Sequence, residues 1–554
     1  MNLDEHYREL DRARRAEDRE AEAQALLRLG RKLQECGEFE RAAHLLEQAL
    51  SISEALVDTE SAGQILLALG EVQRDGERTE EARRSFLAAL DKFQDLGDEG
   101  TVGWIHGELG ALAKRDNDYL LAMRHLREAL PRSRAADEQA EVAWTLAEMG
   151  EILLVRGALG AARRRYEEAL TLSRVAGDLR EEAWILGALA DLAAQEGNDN
   201  QADRLLAEGI AGYSRAGDAE GEASLRLRLA DRLREVGEDL PALEHYRQVL
   251  RCAERMGGDP QLEASAQAGL GMIAAARGQY EAAREAFAKQ LALVRELEDP
   301  MAEYSALAQL GLCLRELEQT SEAFTCIRQA RKCARRAGDE TAEARCLGHL
   351  ADLDRDLGKW RRAYRRYQEL LKLGERLEDE EIVRWALGGR GEVEEAVGHL
   401  PEALHDFATL LERARRHQER NVEEYALAAC GRVLLRLGRV EEAHTRLTEA
   451  LALSRESGNR AGEGFALASL GLLHALGNGR SQLSEAVALG EQAVRVTERR
   501  DPVCLETLAQ LYMKAGDAKR ARRIVDEALL LPDLPSGVRK RLRLQFSRLA
   551  RPAD

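Results

Sequence analysis

Apolar residues recur along this chain at intervals of three and four, the pattern of helices with one apolar face. The helices come in pairs, and the first helix of each pair carries a small residue after a leucine or a close substitute. These markers are Gly30, Gly70, Gly110, Gly150, Ala190 and Ala230, one every forty positions. One residue is inserted near Gly257, and the series resumes with the same interval at Gly271, Gly311, Ala351, Gly391, Gly431 and Gly471. Ala509 closes it after a shorter step, which makes thirteen hairpins.

A second small residue stands twelve positions after most markers: Ala42, Ala82, Ala122, Ala162, Ala202, Ala242, Ala283, Ala323, Ala363, Ala403, Ala443 and Ala521. The twelfth repeat slips, because GNGRS at 477–481 lengthens its turn and moves the equivalent alanine to Ala486. Four positions further on comes a large apolar side chain, such as Leu46, Phe86, Tyr166, Tyr246, Phe287, Tyr367 or Phe407. Two helices approach closely only where both present a small side chain at the crossing. A single hairpin cannot bury its own apolar face, so neighbours must stack.

The punctuation agrees. Asp18, Asp58, Asp98, Asp178, Asp218, Asp259, Asp299, Asp339 and Asp379 each stand twelve positions before a marker, as N-caps would. Glycine precedes several of them, as in Gly97-Asp98, and a second glycine marks the turn inside a hairpin, as at Gly37, Gly76, Gly157, Gly278, Gly358 and Gly438. The expected layout is a capping helix over 1–17, thirteen hairpins in one continuous solenoid over 18–530, and a final helix and tail over 531–554.

Composition narrows the function. The chain is 45% apolar and 32% charged, with 4% aromatics and a net charge of −18. That balance argues against nucleic acid as the main partner. Eight cysteines form no CxxC pair and read as reduced and mostly buried. The N-terminus lacks the regions of a signal peptide, and no apolar run is long enough to span a membrane, so a soluble cytoplasmic chain is expected. The excess of Arg over Lys fits a GC-rich, bacterial genome.

The marker, the alanine twelve later, the large residue four beyond it and a further alanine resemble the tetratricopeptide repeat consensus over residues from about 18 to 530. The forty-residue period, with Gly-Asp or Glu-Asp before a long first helix, resembles the Pins/LGN and kinesin light chain type. The resemblance implies an all-α solenoid, a right-handed superhelix of antiparallel hairpins whose concave groove binds peptides or extended segments. One departure matters: the slot after the marker, usually Asn in Pins-type repeats, holds no Asn here. Chaperone-type repeats need that Asn to clamp a terminal carboxylate, which argues against such a ligand.

Several constellations carry alternatives. Trp104, Trp144, Trp184, Trp385, Tyr425 and Phe465 all stand six positions before a marker, a slot that by resemblance faces the groove. They form either an aromatic ladder for a partner or packing between neighbouring first helices. After the marker come acids, Glu71, Glu151, Asp191, Asp231, Asp352 and Glu392, with Arg74, Arg234 and Arg355 three positions after three of them. These are either a charged groove floor or i,i+3 ion pairs on a solvated helix face. Trp360 sits in a turn slot and reads as structural. Cys313, Cys326, Cys333, Cys346 and His349 cluster without the ligand pairs of a zinc site. Gly388, Gly389 and Gly391 lack the Lys-Ser/Thr of a phosphate loop and read as positions for close packing or for a ligand backbone. The last helix holds Arg539, Lys540, Arg541, Arg543, Arg548 and Arg551, either a docking face or the polar side of a cap.

No nucleophile motif, metal set or cofactor motif emerges, so no catalytic residue, metal or cofactor is assigned. The expectation is a non-enzymatic scaffold or adaptor holding a partner protein segment, extended or helical, in a concave groove, with a homo-oligomer possible at the solenoid edges. The alternative is a regulatory sensor in which a peptide or metabolite changes the superhelix and so controls a partner.

Overall fold

A computed structural model describes residues 3–476 and 480–531, together with Arg539, Leu542, Arg543 and Phe546. The lengthened turn at 477–481 and the final helix and tail expected over 531–554 lie largely outside the described residues. The described residues form 27 helices and no strand, and the chain divides into two compact units, residues 1–273 and 274–554. No helix among them is long and apolar enough to cross a membrane.

In each unit the helices follow one another as hairpins of about the same size. First helices include Thr59–Asp75, Glu99–Arg115, Gln139–Val155 and Leu179–Gln195 in the first unit. In the second they include Glu340–Asp356, Glu380–Val397, Arg420–Arg436 and Arg460–His474. A single helix, Leu3–Arg15, precedes the first hairpin and turns Leu10 and Ala13 inward.

The aspartates do what their spacing predicts. Asp58, Asp98, Asp178, Asp218 and Asp379 each accept a backbone N–H from the first turn of the helix they open. Gly97 and Gly177 close the preceding helices at φ 72° and 74°, a conformation that costs glycine nothing. One turn differs from its expected form. Gly76 has φ −84°, and Glu77, one full repeat after Gly37, takes the left-handed place instead. The repeat register therefore decides the turn, and Gly76 stands one position early.

The core is a chain of contacts between markers and large residues. A Cβ added at Gly70 would lie 2.7 Å from Phe86, one at Gly150 2.8 Å from Tyr166, and one at Gly391 2.9 Å from Phe407. The large residues Leu46, Phe86, Tyr166, Tyr246, Tyr367, Phe407 and Leu447 are all buried. A tyrosine reaches further than a leucine, to the first helix of the next hairpin, and glycine stands there too. Tyr246 fills the space a Cβ on Gly269 would need, and Tyr367 does so at Gly389.

Charge also follows the repeat. An arginine in the last turn of the single opening helix or of a second helix bonds a glutamate eight positions on, in the next first helix. Arg14–Glu22, Arg174–Glu182, Arg295–Glu303, Arg415–Glu423 and Arg455–Glu463 lie at 2.7–3.0 Å. Each places a cation at a helix C-terminus and an anion near the next N-terminus, where the helix dipoles favour them.

Adjacent glycines supply the test of this packing. Gly389→Ala drives a methyl group into the buried ring of Tyr367, and overpacking of this kind costs about 1–3 kcal/mol. Gly388→Ala meets nothing closer than Tyr425 Cε1 at 3.6 Å and gains helix propensity. Thermal unfolding of the full chain is expected to fall for the first variant and to hold or rise for the second.

Candidate functional site

The six aromatic positions lie on first helices, and each falls over the first helix of the hairpin before it. The same chain interval separates Gly107 from Trp144, Gly348 from Trp385 and Gly388 from Tyr425. A Cβ on Gly107 would lie 2.8 Å from Trp144 Cζ3, and one on Gly348 2.5 Å from Trp385 Cη2. Trp104 stacks edge-on against Phe86 at 6.0 Å, Trp184 against Tyr166 at 6.3 Å and Tyr425 against Phe407 at 6.2 Å. Arg432 lies over the Phe465 ring at 5.5 Å. Five of the rings are half-buried and Tyr425 is 39% exposed. Each ring thus fills the gap between neighbouring first helices and still keeps a solvent-facing part.

The acids after the markers stand seven positions beyond the aromatic slot, on the same helix face. Two of them serve the buried tyrosines. Tyr246 donates its hydroxyl to Asp231 Oδ1 at 2.6 Å, and Tyr367 donates to Asp352 Oδ1. Asp352 is 6% exposed, also receives Trp385 Nε1 at 3.4 Å, and has Arg355 at 3.6 Å and Arg315 at 3.8 Å. Burial pushes its carboxyl above the usual range.

Most cations of this face reach across to another hairpin instead of along their own helix. Arg74 bonds Glu108 at 2.6 Å. Lys114 bonds both Glu148 and Glu151, at 3.0 and 2.7 Å. Arg228 pairs with Asp191, and Arg355 bonds Glu392 at 2.7 Å. Of the i,i+3 pairs expected, Asp352–Arg355 is present; Arg74 turns to Glu108 and Asp75, while Arg234 lies 3.7 Å from Glu235.

Recesses open on this face in both units. In the second unit a recess of about 430 Å³ is lined by Trp385, Gly388, Leu410, Val422, Asn421 and Tyr425, with Arg384 and Glu392 among its charged groups. Tyr425 donates to Glu392 at 2.6 Å. In the first unit a smaller recess of about 250 Å³ lies among Arg31, Leu67, Glu71, Thr101, Trp104 and Glu138. The spacing did not single out Asn421, because it stands four positions before the aromatic slot. Gly348 and Gly107 were equally missed, although a small residue three before a marker, with an aromatic ring in the next repeat's slot, is readable in the chain.

Other singled-out residues lie apart from this face or in the packing. Trp360 opens a second helix and is 37% exposed. Cys313, Cys333 and Cys346 are buried, and burial raises their thiols to about 11, 11 and 12. His349 packs against Trp385 at 4.8 Å.

Architecture and face together define a helical-hairpin repeat protein with an aromatic and charged face on its first helices. Residues 23–62 match the tetratricopeptide repeat family, and the chain has the all-α tetratricopeptide-repeat solenoid fold. Among solved structures, the apo form of RapI is similar at 12% identity with a TM-score of 0.50, over 66% of this chain and 98% of that one. A signal transduction ATPase from Pyrococcus horikoshii with a tetratricopeptide repeat sensor is similar at 16% identity and a TM-score of 0.47, over 64% of this chain and 52% of that one. The apo quorum sensor NprR from B. thuringiensis gives 13% identity and a TM-score of 0.41, over 62% of this chain and 99% of that one. These are likenesses of fold. No curated protein matches the sequence.

Two tests follow from the buried acids. Asp352→Ala leaves the Tyr367 hydroxyl buried without its acceptor, which costs about 1–3 kcal/mol; urea unfolding should show the loss, and adding Tyr367→Phe should recover part of it. Burial and acidic neighbours raise Glu141 and Glu181 to about 7 from 4.5. A carboxyl with a raised folded-state pKa holds more protons folded than unfolded between the two values. Stability therefore falls as pH climbs from about 4.5 to about 7. The thermal midpoint of Glu141→Gln/Glu181→Gln should fall less than that of the wild type over this window.

Proposed function

We propose that this chain is a non-catalytic interaction scaffold whose first-helix face captures a segment of a partner protein. The observation that carries the reading is the second-unit recess. Apolar rings and aliphatic side chains line it together with charged and amide groups, and its volume of about 430 Å³ suits a large side chain. Tyr425 and Trp385 are rigid rings held from behind by Phe407, Gly388 and Gly348, so they lose little freedom when a partner covers them. Asn421 offers both a donor and an acceptor to a peptide backbone.

A second reading, the ligand-operated sensor, draws on the ion pairs that cross from hairpin to hairpin. A ligand competing for Lys114 or Arg355 would alter a link between neighbouring repeats. A rise in thermal midpoint with the low-mass fraction of the native cell extract, and none with its protein fraction, would favour this reading.

The capture reading is tested with the full chain immobilised against extract from its native cell. Trp385→Ala/Tyr425→Ala should weaken recovery of the bound protein by about tenfold or more, since a buried aromatic anchor is worth about 2 kcal/mol. Trp360→Ala, away from the recess, should leave recovery unchanged. Equal recovery by all three proteins would sink the assignment of this face.

A further inference from the structure

The first unit holds two carboxylates that its own cations do not serve. Glu141 and Glu181 lie one hairpin apart, each three positions before a tryptophan, Trp144 and Trp184. Neighbours at that interval along a helix share one face, so acid and ring sit side by side. Gly107 records the arrangement: a Cβ there would lie 2.8 Å from Trp144 Cζ3 and 3.1 Å from Glu141 Oε1. Glu141 Oε1 and Glu181 Oε1 are buried atoms with no hydrogen-bond donor among the described residues.

The charged surroundings are one-sided. Glu141 faces Glu108, Glu138 and Glu181, while Glu181 faces Asp178, Glu148 and the Tyr213 ring. The nearby cations are engaged elsewhere: Arg74 on Glu108, Lys114 on Glu148 and Glu151, Arg228 on Asp191. A desolvated carboxylate without a cation is unfavourable, and elsewhere in the fold such groups have arginines, as Asp406 has Arg390 at 2.5 Å. Here the complementary charge is missing, and what stands beside each acid is an indole, the ring that best accepts a cation.

We infer that Glu141 with Trp144 and Glu181 with Trp184 are twin receptors for two cationic side chains, arginine or lysine, carried by one extended partner segment. The inference rests on the proposal that first-helix faces take a partner segment, and it names that segment's chemistry in the first unit. Spacing follows from the stack. Packed helix axes lie roughly 8–10 Å apart, and in a polyproline-II segment, whose side chains return to the same face every third residue, that three-residue step spans about 9 Å. The two cations should therefore stand at positions i and i+3 of the segment. A bound cation favours the ionised carboxylates, so binding should expel protons that the free acids hold near pH 7.

The probe is the peptide acetyl-GSRSSRSG-amide, titrated calorimetrically into the full chain at low salt in two buffers of different ionisation heat. We expect binding that releases about one proton at pH 7 and tightens roughly tenfold or more between pH 6 and 8. Glu141→Gln/Glu181→Gln, near-isosteric changes, should weaken it about tenfold, and Trp144→Leu/Trp184→Leu comparably. Glu20→Gln/Glu47→Gln, at exposed positions of the same unit, should leave it unchanged. A peptide with adjacent arginines should bind more weakly. The inference is overturned if the peptide fails to bind, binds all variants alike, or is matched by free spermidine while the arginine spacing makes no difference. Retained partner capture dependent on Trp385 and Tyr425 alongside such a failure would leave the proposed function standing.

Discussion

Everything in this fold hangs on one contact, a glycine or alanine in the first helix against a large side chain sixteen positions later in the second. Gly70 on Phe86, Gly150 on Tyr166 and Gly391 on Phe407 leave no room for a methyl group. Glycine inside a helix costs about 1 kcal/mol relative to alanine. The cost is sustained because the close approach buries a whole aromatic side chain, which is worth more. The same approach also sets where the next hairpin lands. Its aromatic residue comes down on the small residue three before the marker, as Trp144 does on Gly107 and Trp385 on Gly348. Packing and display are therefore one geometry: the contact that builds the solenoid also props up the rings on its first-helix face.

Much of this was legible from spacing alone. The marker series, the aspartate caps and the large residues follow from a register that recurs at a constant interval, because each repeat solves the same packing problem. The aromatic slot was legible as a slot, and what the rings do there is pack on their neighbours while part of each faces solvent. The acids after the markers were harder. Asp231 and Asp352 looked like members of a solvated row, yet they accept the hydroxyls of Tyr246 and Tyr367. The clue was present: in their repeats the large residue is tyrosine, where the hydroxyl needs a partner. Pairing across hairpins, as from Lys114 to Glu148, was illegible in a reading confined to one helix, because it depends on how neighbouring helices are phased.

The net charge of −18 takes on a different meaning in the structure. Much of the charge is taken up by links that repeat with the fold, from the Arg174–Glu182 type at hairpin junctions to the Arg74–Glu108 type between first helices. Acids without such a link, Glu141 and Glu181, are the informative ones. They sit beside tryptophans, on the face where regular packing ends and variation between repeats begins. Packing positions hold the same few side chains in hairpin after hairpin, whereas this face changes from one hairpin to the next.

The central claim is that the first-helix faces, and not the second helices, meet the partner. Hydrogen–deuterium exchange of the full chain, with and without the protein it captures, reads this directly. The account predicts added protection in first helices such as Gln139–Val155, Glu380–Val397 and Arg420–Arg436. Protection confined to second helices such as Leu159–Ala176 and Leu400–Arg416 would contradict it.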